Sequence, residues 1–199
     1  MKKAVFRLWG KAIIWLIGWK VDQHLKADFK RCVMIAAPHT SNWDFVICRA
    51  ALAVMDINVR FTMKIEWTKG VLGWLLTSLG AIGIDRNPKE KRSEPISYVD
   101  AMANLFEENE ELAMLITPEG SRKKTVQWKT GFYHVAQKAG VPIAFGYMDY
   151  KTKTAGIGKV IWPGENMEAD MQEIMKFYVK IHPKFPELYS VDLRYVPQV

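Results

Sequence analysis

Short apolar runs rich in strand formers alternate along this chain with longer segments of helical period, and that alternation restricts the fold more than any other feature. Cys32–Ala37 reads CVMIAA and Leu112–Ile116 reads LAMLI. Runs this short and continuous, bounded by polar loops, suit strands covered on both faces. Val59–Met63, Ala81–Ile84, Val141–Met148 and Ile157–Trp162 complete the expected strands. Helices are predicted over Trp43–Met55, Trp67–Leu79, Ser93–Glu108, Gly131–Ala139 and Met167–Ile181. Ser93, with Glu94 and Pro95 behind it, reads as a helix start, and Gly140 as a helix stop. Strands and helices in this order predict an α/β fold, a mixed and mostly parallel central sheet flanked by helices.

The chain has 199 residues, of which 49% are hydrophobic and 25% charged. That is enough for one well-filled core and excludes a disordered chain. Cys32 and Cys48 are the two cysteines, and both sit among apolar residues as free buried thiols. No spacing of Cys or His suggests a metal, so no metal site is expected. The formal net charge is +7 and there are 8 Trp. Both features fit an anionic membrane surface or a nucleic acid, and a basic soluble enzyme shares them.

The location of the Trp residues separates these readings. Residues 1–20 hold five basic residues, no acid, and Trp9, Trp15 and Trp19. Arg7 and Lys11 interrupt the apolar stretch that a secretory signal needs, and the run Ala12–Trp19 falls far short of the ~20 residues that span a bilayer. On a helical wheel Lys3, Arg7 and Lys11 form one stripe, with Val5, Phe6, Trp9, Ile13 and Leu16 roughly opposite. The segment is expected to be an N-terminal amphipathic helix lying in the membrane interface. Packing on the protein's own core is the competing expectation. Residues 1–24 are taken as this interfacial unit and residues 25–199 as the main domain. The apolar stretch Val71–Ile84 is too short to span; it is read as core, with lining of an apolar tunnel as the other choice.

In open α/β sheets, ligands bind where strands end at their carboxyl edge. The loops starting at Pro38, Asp85 and Pro118 are therefore expected to face one crevice. The first reads Pro38-His39-Thr40-Ser41-Asn42-Trp43-Asp44. His39 and Asp44 can meet if His39 is in the loop and Asp44 in the first helical turn, an arrangement that Ser41 favours as an N-cap. A neutral imidazole oriented by a carboxylate can take a proton from an attacking hydroxyl. Ser41 to Asp44 also matches a capping box, so Asp44 could merely cap its helix.

These residues resemble the signature of the lysophospholipid and glycerol-phosphate acyltransferases, whose first block is His-x4-Asp. Gly80-Ala-Ile-Gly-Ile-Asp-Arg86 resembles the second block of that family, Pro118-Glu119-Gly120-Ser121-Arg122 the third, and Val141-Pro142-Ile143 the fourth. The likeness spans about residues 30–150. Ser121 departs from the usual Thr but keeps a hydroxyl. The resemblance implies a glycerol-phosphate acyltransferase-like fold. It also implies acyl transfer from a thioester, acyl-CoA or acyl-carrier protein, to a hydroxyl of a lysophosphatidic-acid-like acceptor, with no other cofactor. His39 would be the general base and Asp44 its orienting partner, with no acyl-enzyme. Arg86, Glu119, Gly120, Ser121 and Arg122 would form the substrate-binding set. Arg86 would hold phosphate, Arg122 phosphate or the transition-state oxyanion, and Glu119 would bind glycerol hydroxyls or orient Arg122. Such a protein would sit peripherally on the cytoplasmic face of the cell membrane.

Other readings remain open on the sequence. The acceptor could be another lyso-lipid, such as a lyso-ornithine lipid, or the chain could bind membrane lipid without catalysis. A nucleic-acid binder fits the charge alone; the chain lacks a recognisable binding motif, and its N-terminal Trp cluster is not in a basic groove. No nucleic-acid partner is expected. His134 reads as a structural helix residue, and His24 and His182 carry no motif.

Overall fold

The computed structural model describes residues 2–25, 30–84 and 97–196. Within these, seven strands form one sheet: β1 (Lys20–Asp22), β2 (Arg31–Ala37), β3 (Val59–Lys64), β4 (Ala81–Ile84), β5 (Leu112–Ile116), β6 (Ile143–Asp149) and β7 (Thr154–Ile161). Their order is β1-β7-β6-β2-β5-β3-β4. Only the β6–β7 pairing is antiparallel among the described strands. The helices are α1 (Lys2–Leu16), α2 (Asn42–Val54), α3 (Gly70–Ser78), α4 (Tyr98–Glu107), α5 (Gly131–Ala139) and α6 (Met167–Tyr178).

The expected mixed, mostly parallel sheet flanked by helices is what forms, and its centre shows why. Alternate residues of β2 point to opposite faces. Val33, Ile35 and Ala37 pack with Phe106 of α4, Phe132 of α5 and Tyr178 of α6. Cys32, Met34 and Ala36 pack with Leu52 of α2 on the other side. A strand buried on both faces has no polar alternation, which is why CVMIAA reads as a continuous apolar run. The crossovers through α2 and α3 step in one direction across the sheet, and those through α4 and α5 step back. Right-handed connections then place α2 and α3 on one face and α4 and α5 on the other.

Several expectations need correction. The N-terminal helix ends at Leu16, and Lys20–Asp22 joins the sheet beside β7, so residues 1–24 are not one helical unit. The wheel's faces are also redrawn. Gly10 and Ile14 are buried against α2, where a side chain at residue 10 would meet the Ala50 carbonyl at 2.7 Å. Phe6 and Ile13 turn partly inward as well. Val5, Leu8, Trp9, Trp15 and Leu16 stay exposed, with Trp15 at 78%. One face of the helix thus packs on the core, as the competing reading expected, and another presents an apolar stripe outward. Arg7 and Lys11 lie exposed between the two faces; the side chain of Lys3 lies outside the described residues.

Trp67–Leu79 is not one helix either. A 3-10 turn, Ile65–Thr68, precedes α3, and α3 buries only Gly73. The core reading of this stretch fails for α3, and α3 lines neither of the two cavities at His39. Val71 is 87% exposed and Trp74 72%, beside exposed Leu72 and Leu75. Ser97 caps α4 through Asp100, four residues later than the expected start; Ser93 itself lies outside the described residues. No helix among the described residues is long and apolar enough to cross a membrane.

Candidate active site

β2 ends at Ala37, and the chain turns through Pro38–Thr40 into the N-terminus of α2. Ser41 is the N-cap; its hydroxyl accepts the Trp43 N–H at 3.2 Å. Asp44 completes a capping box. Its Oδ2 accepts the backbone N–H groups of Thr40 and Ser41, both at 2.7 Å. The same Oδ2 stands 3.5 Å from Nδ1 of His39. Asp44 therefore both caps its helix and faces the imidazole, and the two readings of this residue are compatible. The carboxylate is almost sealed, at 1% exposure, while the His39 ring reaches the crevice.

Two further side chains fix this corner. The Tyr150 hydroxyl, at the end of β6, donates to Oδ1 of Asp44 at 2.5 Å. With three donors the carboxylate has one orientation, and Oδ2 points at the histidine. Glu119 is 5% exposed, and its Oε1 accepts the backbone N–H of His39 at 2.8 Å. Burial pushes the Glu119 carboxyl up to about 8, with the nearby Asp44 charge adding to the rise and the His39 N–H opposing it. Among the described residues Glu119 makes no bond to Arg122: its hydrogen bond goes to the histidine loop. Glu119 joins the third block to the first across β2 and β5, which are neighbours in the sheet.

Of the other expected residues, Gly120, Ser121 and Arg122 line the crevice. Gly120 sits at φ +70°, a left-handed turn residue, and a side chain there would press on Lys129 at 2.8 Å. Ser121 and Arg122 are exposed, and the Ser121 hydroxyl accepts the Lys123 N–H at 3.3 Å. Arg86 follows β4 directly and lies outside the described residues, as do Lys89, Lys91 and Arg92. Of the other histidines, His134 is exposed on α5, His24 pairs with Asp22, and His182 approaches Asp149 at 3.4 Å.

His39 stands where two cavities meet. One, of about 500 Å³, is polar and is lined by His39, Thr117, Gly120, Ser121, Arg122 and Lys123. The other, of about 410 Å³, runs inward between the sheet, α4 and α5, past Phe45, Phe61, Met102, Leu115, Phe132 and Val135. A polar basin with basic rims suits a phosphate-bearing headgroup, and an apolar channel suits a hydrocarbon chain. The imidazole lies at the boundary of the two.

The acyltransferase family model matches residues 20–144. The chain is 33% identical over 136 residues to the 1-acyl-sn-glycerol-3-phosphate acyltransferase of Salmonella typhimurium, covering 64% of this chain and 52% of that protein. It is 29% identical over 135 residues to the enzyme of the same name from Haemophilus influenzae, covering 64% of this chain and 53% of that one. The chain thus spans about half the length of the curated relatives it matches. The crystal structure of the 1-acyl-sn-glycerophosphate (LPA) acyltransferase PlsC from Thermotoga maritima superposes with a TM-score of 0.60 at 14% identity, covering 89% of this chain and 77% of that one, and so shares the fold. With its His39–Asp44 corner at the sheet's carboxyl edge, the chain belongs to the acyltransferase family.

Proposed function

We propose that the chain is a 1-acyl-sn-glycerol-3-phosphate acyltransferase, moving a fatty acyl group from a thioester donor to the free hydroxyl of a lysophosphatidic-acid-like acceptor. The observation that carries this reading is the position of His39, held by Asp44 and Glu119 at the junction of a polar and an apolar cavity. With Nδ1 turned to Asp44, Nε2 is left to face the crevice and act as base. It removes the acceptor's hydroxyl proton as that oxygen attacks the thioester carbonyl. The tetrahedral intermediate collapses, the C–S bond breaks, and the departing thiolate takes the proton back from the imidazolium. No covalent acyl-enzyme is formed. Arg122, with Arg86 by resemblance, pairs with the acceptor's phosphate as a charge-assisted fork. The acyl chain occupies the apolar channel. Acyl-CoA or acyl-carrier protein supplies the thioester.

Acceptor and product both reside in the bilayer, so the protein docks peripherally on the cytoplasmic face. Trp9, Trp15 and Leu16 of α1 and Val71 and Trp74 of α3 insert, with Arg7 and Lys11 facing anionic headgroups. The test is mass spectrometry of lipid products from the purified chain, offered acyl-CoA or acyl-carrier-protein donors with a panel of lyso-acceptors. Phosphatidic acid formed from lysophosphatidic acid supports the assignment. Turnover confined to an acceptor without phosphate would overturn it.

A further inference from the structure

Arg49 on α2 belongs to no part of the catalytic corner, yet it is 4% exposed. Its Nη1 donates to the Val59 carbonyl at 3.3 Å, and its guanidinium lies 5.1 Å from the Phe6 ring centre. Its Nε has no partner, the one such side-chain atom among the described residues. No carboxylate pairs with it among the described residues. Its neighbouring charge is Arg60, of like sign. A buried guanidinium without a counter-ion is costly, and such groups ordinarily pair with an anion.

The surroundings indicate where that anion would come from. Arg49 lines a groove of about 310 Å³, with Phe6 of α1 on one side, Ser78 of α3 on the other, and Ala53 and Ile57 between. α1 and α3 are the two helices that carry the outward apolar stripes. The groove thus lies between α1 and α3, at the amino-terminal ends of β3 and β4, the sheet edge opposite His39. Asp56 also lines it but is exposed and forms no ion pair with Arg49 among the described residues.

We propose that this groove binds the phosphate headgroup of an anionic membrane phospholipid through Arg49, separately from the acceptor bound at His39. The guanidinium fork matches phosphate oxygens, the Phe6 ring backs the fork, and the lipid's chains lie along the exposed helices. The proposal rests on the membrane-docking reading for its choice of lipid over free phosphate. It makes the chain's affinity depend on the anionic lipid content of the membrane, through a site that does no chemistry.

The test uses the full chain and a soluble short-chain phosphatidylglycerol, a phosphodiester that is neither acceptor nor product. It should raise the Tm of the wild type. Arg49→Met should weaken the apparent affinity roughly tenfold or more, the scale of a charge-assisted contact. Its unliganded Tm should equal or exceed that of the wild type, because an unpaired buried charge has gone. Ser78→Trp, at the exposed rim, should abolish the shift while leaving the core untouched, and Asp56→Asn should enlarge it. Arg49→Met that is less stable without lipid and responds to lipid like the wild type would overturn the proposal and make Arg49 structural. A full shift with inorganic phosphate alone would overturn the lipid assignment. Vesicle sedimentation separates this from docking: if the wild type fails to sediment yet the short-chain lipid still shifts it through Arg49, the docking reading falls and the anion site stands.

Discussion

Asp44 joins two positions that were separate readings of the sequence, because one carboxylate has enough acceptor sites to cap its helix and face a histidine. Replacing it with Asn keeps the cap's oxygen but loses the charge that, in the proposed mechanism, orients and stabilises the imidazolium. Asp44→Asn should lower kcat by about two to four orders of magnitude while far-UV circular dichroism stays native. Tyr150→Phe removes one of three donors to that carboxylate. It should cost roughly tenfold in kcat with KM for the acceptor unchanged, as expected of a residue that positions another. Tyr150 was not legible in the sequence: it is 106 residues from Asp44 and no local pattern marks it. The sequence singled out Glu119 but not its burial or its bond to the His39 N–H, since a loop motif does not reveal how deeply a carboxyl is buried. With its folded pKa raised to about 8, Glu119 stays protonated in the folded protein where an unfolded Glu is ionised. The folded state binds more protons between pH ~4.5 and ~8, so this group's contribution to stability falls as pH rises through that window. Glu119→Gln should flatten the decline. Its Tm relative to the wild type should be higher at pH 8.5 than at pH 5; an equal difference at both pH values would place the Glu119 pKa in the ordinary range.

At the scale of elements, α1 and α3 set the limits of pattern reading. A helical wheel finds an apolar face but cannot tell which part of it a neighbouring helix will cover. Gly10 decides the matter, because its missing side chain lets α2 approach closely and turns Phe6 and Ile13 toward it. Gly10→Val should destabilise the fold by ~1–3 kcal/mol through overpacking, seen as a lower denaturation midpoint. The exposed stripe is independent of that contact. Trp15→Ser together with Trp74→Ser should reduce sedimentation with anionic vesicles and leave the Tm unchanged, because both side chains are solvent-exposed. Added salt should weaken the wild-type interaction as well, since Arg7 and Lys11 are screened. Sedimentation equal to the wild type would move the membrane contact elsewhere. Strands were easier to find than these faces, because β2, β4 and β5 are short buried runs whose composition alone marks them.

Over the whole molecule, the family match ends at residue 144, but the chain beyond it braces the site. After α6 the C-terminal segment passes the histidine loop, where the Phe185 N–H reaches the Thr40 hydroxyl at 3.4 Å. It then holds the loop behind Arg122. Asp192 is fully buried and accepts the Trp128 N–H at 2.9 Å, and Arg194 closes on the same carboxylate at 2.7 Å. Burial alone would raise the Asp192 pKa, but Arg194 and the backbone N–H of Trp128 hold it below the usual range. Its stabilisation is therefore present at neutral pH and lost as pH falls through the folded value, the opposite sign to Glu119. Asp192→Asn should lower the Tm at pH 7 by several degrees, given ~1–3 kcal/mol for a charged hydrogen-bonded group. None of this brace was legible beforehand, because the contacts that tie it to the rest of the chain, Phe185 to Thr40 and Asp192 to Trp128, join residues more than sixty positions apart through irregular chain.

The central claim is that His39 is the base that activates the acceptor hydroxyl at the meeting point of the two cavities. It is tested most directly by the rate of phosphatidic acid formation from lysophosphatidic acid and acyl thioester, comparing the wild type with His39→Ala at saturating concentrations of both substrates. The account predicts phosphatidic acid formation by the wild type and, in His39→Ala, a loss of about two to four orders of magnitude with an unchanged Tm. A folded His39→Ala protein that forms phosphatidic acid at a rate near the wild type would contradict it.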